Sequence, residues 1–215
     1  MEKIKKYFKW FFDSFIWLGL LLLIADLVSK LAVIANKDAI RAQGGVVLIP
    51  NFLRVNYLIN NNLVFGLSTG NDMSNRIIFC VVAGIIVIGV IFFTIKKWVK
   101  LNKMFKAAIM MILAGAIGNL IDRLFYSPEF LGNSVNGVVD WIDFYGIWQF
   151  NFNIADSSVV VAAFMLIIYM LVVDIIEYKN RPKEPKKEED NTKVLSKTEQ
   201  EKKEFIENQN KENNE

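Results

Sequence analysis

Ile77–Ile95 runs for nineteen residues without a charged side chain. A run of that length matches the hydrocarbon thickness of a bilayer when helical, about 20 residues at 1.5 Å each. Three further apolar blocks accompany it, at about 14–35, 105–124 and 154–176. Their apolar residues are continuous rather than spaced for one buried face, which favours membrane spans over amphipathic helices. With 53% hydrophobic residues in 215, the chain is too apolar for an ordinary soluble domain. The expected fold is therefore an α-helical integral membrane protein with four transmembrane helices.

Composition also limits the chemistry. The chain has no His and one Cys, Cys80, so disulfides within the chain, Ser-His and Cys-His catalysis, and metal sites built on His or several Cys are excluded. Cys80 lies inside an apolar run and reads as a small buried side chain. Catalysis would rest on carboxylates, Lys, Ser, Thr or Tyr.

The first span, about 14–35, follows a basic and aromatic opening, MEKIKKYFKW. A secretory signal peptide is the competing reading, with Val33-Ile34-Ala35 as its cleavage site. The length of the run, with Asp26 and Lys30 near its far end, favours a retained span. Asp26 and Lys30 are four apart and share a helix face, as an ion pair or as substrate contacts, or Lys30 snorkels to the interface.

Residues 36–75 form the first segment outside the spans. Leu53, Val55, Tyr57 and Ile59 alternate with Arg54 and Asn56, the pattern of a half-buried strand. Val46–Ile49 and Leu63–Leu67 are its expected partners, separated from it by turn residues at Pro50-Asn51 and Asn60-Asn61-Asn62. These make a small twisted β-sheet on the outer membrane-facing side. In the third span Ala114 and Gly118 are four apart, a spacing that lets helices approach closely.

Lys and Arg concentrate in the N-terminal segment, in 96–106 and after Tyr178, whereas 125–153 carries none. The positive-inside rule then puts both termini in the cytoplasm. The four-helix membrane domain covers 1–178. The remainder, 179–215, is rich in Lys, Glu and Asn and reads as a disordered cytoplasmic tail, with a transient helix over part of Thr198–Glu207.

This topology brings four carboxylates to one membrane face: Asp122 ends the third span, Asp156 begins the fourth, and Asp140 and Asp143 lie in the loop between. Ionisable groups at such depths are costly and usually functional. Two brought together can share a proton and activate water. Asn119, Asp122 and Arg123 share one helix face, although Asp122 and Arg123 also suit a plain polar helix end. Asn153 and Asp156 are three apart where a helix starts, so Asp156 also suits a helix cap. Asp143 rivals Asp140. Trp141, Phe144, Tyr145 and Trp148 read as an interfacial aromatic belt.

Gly118-Asn119-Leu120-Ile121-Asp122-Arg123, Val138-Val139-Asp140-Trp141-Ile142 and Phe152-Asn153-Ile154-Ala155-Asp156-Ser157 together resemble the signature of the bacterial lipoprotein signal peptidases, signal peptidase type II. Asp26 and Lys30 in the first span match as well, and the resemblance covers about residues 14–176. It implies an aspartic endopeptidase that removes the signal peptide from prolipoproteins whose cleavage-site Cys already carries diacylglycerol. By position, Asp140 and Asp156 match the catalytic pair, and Asn119, Asp122, Arg123 and Asn153 match its polar surroundings. Asn60 matches the first residue of an Asn-x-Gly-Ala-Ala-Phe pattern, here Asn60-Asn61-Asn62-Leu63-Val64-Phe65. The larger residues would narrow a substrate groove. Ser127–Asn136 and the long tail are additions to the family pattern. The implied partners are diacylated prolipoproteins and membrane lipids, with no nucleic acid, no metal and no cofactor, in a monomer. Two other classes remain: a small proton- or ion-coupled transporter subunit using intramembrane carboxylates, and a non-catalytic scaffold. A presenilin-type protease is disfavoured by the lack of a Gly-x-Gly-Asp motif.

Overall fold

A computed structural model describes residues 2–61, 71–134, 136–180 and 199–206. Leu63–Leu67, with the Asn62-Leu63-Val64 departure, lies outside the described residues. The chain divides into two compact units, Met1–Val173 and Asp174–Glu215. In the second, the fourth span runs on to Asn180 and residues 199–206 are helical.

Among the described residues four helices are long and apolar enough to cross a membrane: Ile16–Ala35, Met73–Lys100, Lys103–Phe125 and Ile154–Asn180. Their helical elements are α2 (Ile16–Ala35), α4 (Asp72–Lys97, continued by a 3-10 turn over Trp98–Lys100), α5 (Lys103–Phe125) and α7 (Ile154–Asn180). Asn71 caps α4 and Asn102 caps α5, each side chain accepting the backbone N–H three residues on. Large apolar side chains such as Ile85, Ile88, Phe164 and Leu171 are exposed, as expected where lipid rather than protein covers them.

The N-terminal segment is not a flank of the first span but a helix of its own, α1 (Glu2–Ser14). Phe15, at φ 58°, breaks it from α2. Ser14 is buried at the break and donates to the Phe11 carbonyl over 2.7 Å.

Close packing of the bundle centres on α5. A Cβ added at Gly115 would collide with the Ala155 carbonyl of α7, and one at Gly118 would meet Asp26 Oδ2 of α2 at 2.6 Å. Gly115 and Gly118, three apart, thus set the approach of α5 to its neighbours, more than the Ala114–Gly118 spacing alone.

At one end of the bundle lies an antiparallel sheet of four strands, β1 (Val46–Ile49), β2 (Leu53–Asn60), β3 (Val138–Asp143) and β4 (Asn151–Phe152), in chain order. β1 pairs with β2 as the alternation suggests. On its other side β2 pairs with β3, with Leu58 opposite Asp140 and Asn60 opposite Val138. Asp140 and Asp143, expected in a loop, are therefore on a strand. No local pattern distinguishes the run Val138–Asp143 as a strand, because it is buried at both faces near its start. Short helices α3 (Lys37–Ala42) and α6 (Pro128–Leu131) flank the sheet. Val33, Ile34, Ile40, Tyr57, Tyr126, Leu131 and Val139 form one core between the end of α2 and the sheet. Tyr57 donates its hydroxyl to the Leu131 carbonyl over 2.6 Å. Leu131, from the Ser127–Asn136 addition, is thereby built into the core.

Candidate active site

The start of α7 is the frame of the site. Asn153 occupies the cap position, and its Oδ1 accepts from the Asp156 N–H over 2.8 Å. Asp156 Oδ2 returns the bond, accepting from the Asn153 N–H over 3.2 Å. This reciprocal pair is a capping box, which satisfies two backbone donors that a helix start leaves open. The next donor, Ala155 N–H, is taken by Asp26 Oδ1 of α2 over 2.9 Å. Carboxylates at this end of a helix also meet the positive end of its dipole. Asp156 is thus a capping residue, yet capping occupies just one of its oxygens. The other, Oδ1, accepts from the Asn119 amide of α5 over 2.7 Å.

Lys30 ties α2 to α5. Its ammonium lies 2.7 Å from Asp26 Oδ2 and 2.9 Å from Asp122 Oδ2, and donates to Asn119 Oδ1 over 3.1 Å. Lys30, Asp26 and Asp122 are all completely buried. An ammonium carries three donors, and these three partners match them, so Lys30 does not snorkel. Asp122 Oδ2 also accepts from the Val139 N–H of β3 over 3.3 Å, which fixes the strand against the helix end.

β3 then presents Asp140, 2% exposed, to the same cluster. Its Oδ1 accepts from the Asn153 side-chain amide over 2.8 Å and its Oδ2 from the Asn60 amide over 3.0 Å. Asn60 reaches it diagonally from the neighbouring strand, a contact that sheet geometry allows. Close approach of the strands here needs Gly137, where an added Cβ would meet the Asn60 carbonyl at 2.6 Å. Burial pushes the Asp140 carboxyl up to about 7, and neighbouring Asp156 adds to the rise. The Asn60 amide, Lys30 and Asn153 oppose it. A carboxyl titrating near neutrality beside a second carboxyl can hold a proton while its partner is charged, the requirement for acid–base chemistry on water.

Asp143 is set apart from the pair. Three residues along a strand reverse the face, so Asp140 and Asp143 point to opposite sides of β3. Asp143 Oδ2 pairs with Arg54 Nε over 2.5 Å. Arg123 is buried, and its guanidinium lies 3.6 Å from the centre of the Phe79 ring on α4. It is within electrostatic range of Asp140, Asp122 and Asp156. Arg76 was not singled out by sequence. It donates from Nε to the Arg123 carbonyl over 2.5 Å and from a terminal nitrogen to the Leu124 carbonyl over 2.9 Å, holding the end of α5. A lone Arg at the start of a span is the one signal that pointed to it. Among the described residues no group of three or more His, Cys, Asp or Glu could hold a metal ion.

Residues 18–172 match the family model described as signal peptidase (SPase) II. The lipoprotein signal peptidase of Fusobacterium nucleatum is 36% identical over 156 residues, covering 72% of this chain and 84% of that protein. The lipoprotein signal peptidase of Clostridioides difficile is 32% identical, covering 73% of this chain and 94% of that protein. A bacterial membrane enzyme solved by the in meso method at 2.3 Å superposes with a TM-score of 0.56 and 28% identity, over 80% of this chain and 92% of that one.

Proposed function

The chain belongs to the signal peptidase II family, and on that premise we propose that it removes the signal peptide from diacylglyceryl-modified prolipoproteins, with Asp140 and Asp156 as the catalytic pair. It is a multi-pass bacterial membrane protease. The observation that carries the aspartic reading is that both carboxylates accept from Asn153, Asp140 from its side-chain amide and Asp156 from its backbone N–H, with Asp140 titrating near neutrality.

At neutral pH the pair holds one proton, and we assign it to Asp140. Ionised Asp156 takes a proton from water as the water oxygen attacks the scissile carbonyl. Asp140 donates its proton to the carbonyl oxygen as the carbonyl carbon becomes tetrahedral. Collapse then breaks the C–N bond as the leaving nitrogen takes a proton from Asp156 and Asp140 recovers its own. General acid–base assistance of this kind contributes roughly 10²- to 10⁴-fold. Asn153, Asn119 and Asn60 position the two carboxylates, Lys30 and Arg123 offset their negative charge, and Asp26 and Asp122 hold Lys30. One chain supplies all these groups, which favours a monomer.

The lysines of 1–10 and 96–106 and the charged tail support, by the positive-inside rule, both termini in the cytoplasm and the aspartates at the outer face. The substrate's acyl chains then lie among lipid tails while the scissile bond reaches the site. Each buried methylene contributes about 0.8 kcal/mol to such anchoring. A coupled transporter would need carboxylates through the bundle. Asp26, the one carboxylate in sequence that suggested this, joins the cluster at the start of α7.

The test is incubation of the purified full chain with a diacylated prolipoprotein and with its unlipidated form in the same detergent, followed by mass analysis of both fragments. Cleavage immediately before the lipidated Cys, with the unlipidated form cut poorly, is expected. Equal rates on both forms would remove the lipid from recognition.

A further inference from the structure

At the opposite end of the bundle from Asp140 and Asp156 lies an apolar cavity of about 520 Å³ between α1, the start of α2, α4 and α5. Trp98 lies about 33 Å along α4 from Arg76, from a rise of 1.5 Å per residue. Trp10, Ile16, Ile91, Ile95, Trp98 and Met110 line it. Its volume falls in the range of small-molecule sites, about 300–1,000 Å³. Its polar lining residue, Thr94, has its hydroxyl bonded back to the Val90 carbonyl over 2.6 Å, so the wall asks for an apolar occupant. Ile95 and Val99 are largely exposed, so the cavity opens at the surface of the bundle.

The surroundings of this cavity are basic. Residues 1–15 and 96–106 contain nine lysines against Glu2 and Asp13. Lys106 Nζ sits 5.0 Å from the centre of the Trp98 ring. Lys103 pairs with Asp13 over 3.0 Å, fastening α1 to α5 beside the cavity, and its side chain stays 76% exposed. Lys9 and Lys106 are both close enough to Asp13 to hold its carboxyl below the usual range, after Lys103, whose bond dominates. Asp13 therefore offsets just part of this charge. α1 itself carries Lys3, Lys5, Lys6 and Lys9 on one side and Ile4, Phe8 and Phe11 on the other, the form of a helix lying in a membrane interface.

We propose that this cavity binds a bilayer phospholipid with an anionic head group, one acyl chain along the apolar wall and the phosphate on Lys100, Lys103 and Lys106. Wall and rim select different halves of the same molecule. A zwitterionic lipid satisfies the wall but not the excess of lysine, and a soluble anion satisfies the rim alone. Each lysine near an anionic surface favours binding by about 1 kcal/mol, or roughly fivefold.

The full chain is reconstituted in phosphatidylcholine vesicles containing a small equal fraction of either brominated phosphatidylglycerol or brominated phosphatidylcholine. Quenching of Trp10 and Trp98 is read as the difference from a Trp10→Phe/Trp98→Phe variant. The brominated anionic lipid should quench at several-fold lower mole fraction than the zwitterionic one. Salt should shrink that gap in the unaltered protein, and Lys100→Gln/Lys103→Gln/Lys106→Gln should remove most of it with far-UV circular dichroism unchanged. Equal quenching by the two lipids would overturn the proposal and leave an unselective lipid-facing surface. So would quenching of neither tryptophan, or a preference that salt leaves unchanged.

Discussion

Asn153 donates its side-chain amide to Asp140 over 2.8 Å. The same residue caps the helix on which Asp156 sits three positions later. The position of one carboxylate is thus coupled to the start of the helix that carries the other. A displacement at the cap moves both.

Replacing either carboxylate should separate chemistry from assembly. Asp140→Asn and Asp156→Asn are each expected to lower cleavage of a diacylated prolipoprotein by at least about 10²-fold, with membrane insertion retained. Turnover is measured on purified, correctly inserted protein. Substantial turnover by either variant would take that residue out of the catalytic role.

The Asp140 carboxyl, raised to about 7, makes a pH prediction with a definite sign. Between about 4 and 7 the folded protein binds this proton and the unfolded chain does not. This group's contribution to stability is therefore lost as pH rises through that window, and is steady above it. Asp140→Asn should flatten that part of the profile in thermal unfolding followed across pH. If one shared proton is needed for turnover, kcat should also fall as pH rises above about 7. A cleavage rate that climbs steadily to pH 9 would contradict the shared proton.

Lys30→Met should be costly for a reason other than volume. It leaves Asp26 and Asp122 buried without their cation, and breaking a buried pair from one side typically costs about 3–5 kcal/mol. Lys30 also lowers the Asp140 carboxyl, so its loss should move the alkaline limb of the rate profile upward. Adding Asp26→Asn and Asp122→Asn should recover part of the stability without restoring that limb. Thermal midpoints and pH–rate profiles of the single and triple variants check both parts.

Gly118→Ala adds one methyl group at 2.6 Å from Asp26 Oδ2, where the neighbour is a buried ion-paired carboxylate with nowhere to turn. A loss of about 1–3 kcal/mol is expected, the usual range for overpacking, together with reduced turnover because Asp26 caps α7 beside Asp156. Gly89→Ala, on the α4 face where an added Cβ meets nothing, is the control. Equal thermal midpoints for the two variants would show that the α2–α5 contact yields freely.

By itself the sequence determined the four spans, because a long charge-free run has few ways to satisfy its backbone in lipid and a helix is the simplest. It determined strand β2, because period-two alternation there sets Val55, Tyr57 and Ile59 on the side that packs against the core. It also brought Asp122 and Asp156 to the same membrane face through the parity of the spans. The remaining relationships depended on tertiary structure. Asp140 and Asp143 are equally plausible as loop residues, and just their places on β3 assign them to opposite faces. Lys30, ambiguous between snorkelling and pairing, found its three partners on its own helix and on one 89 residues away. Asp156, legible as a cap, also reached Asn119 across 37 residues. Local patterns record solvent against lipid and one face against another. Which polar groups meet inside is decided by the close approach of α2, α5 and α7 and by the register of β2 on β3, and neither is written in any short stretch of chain.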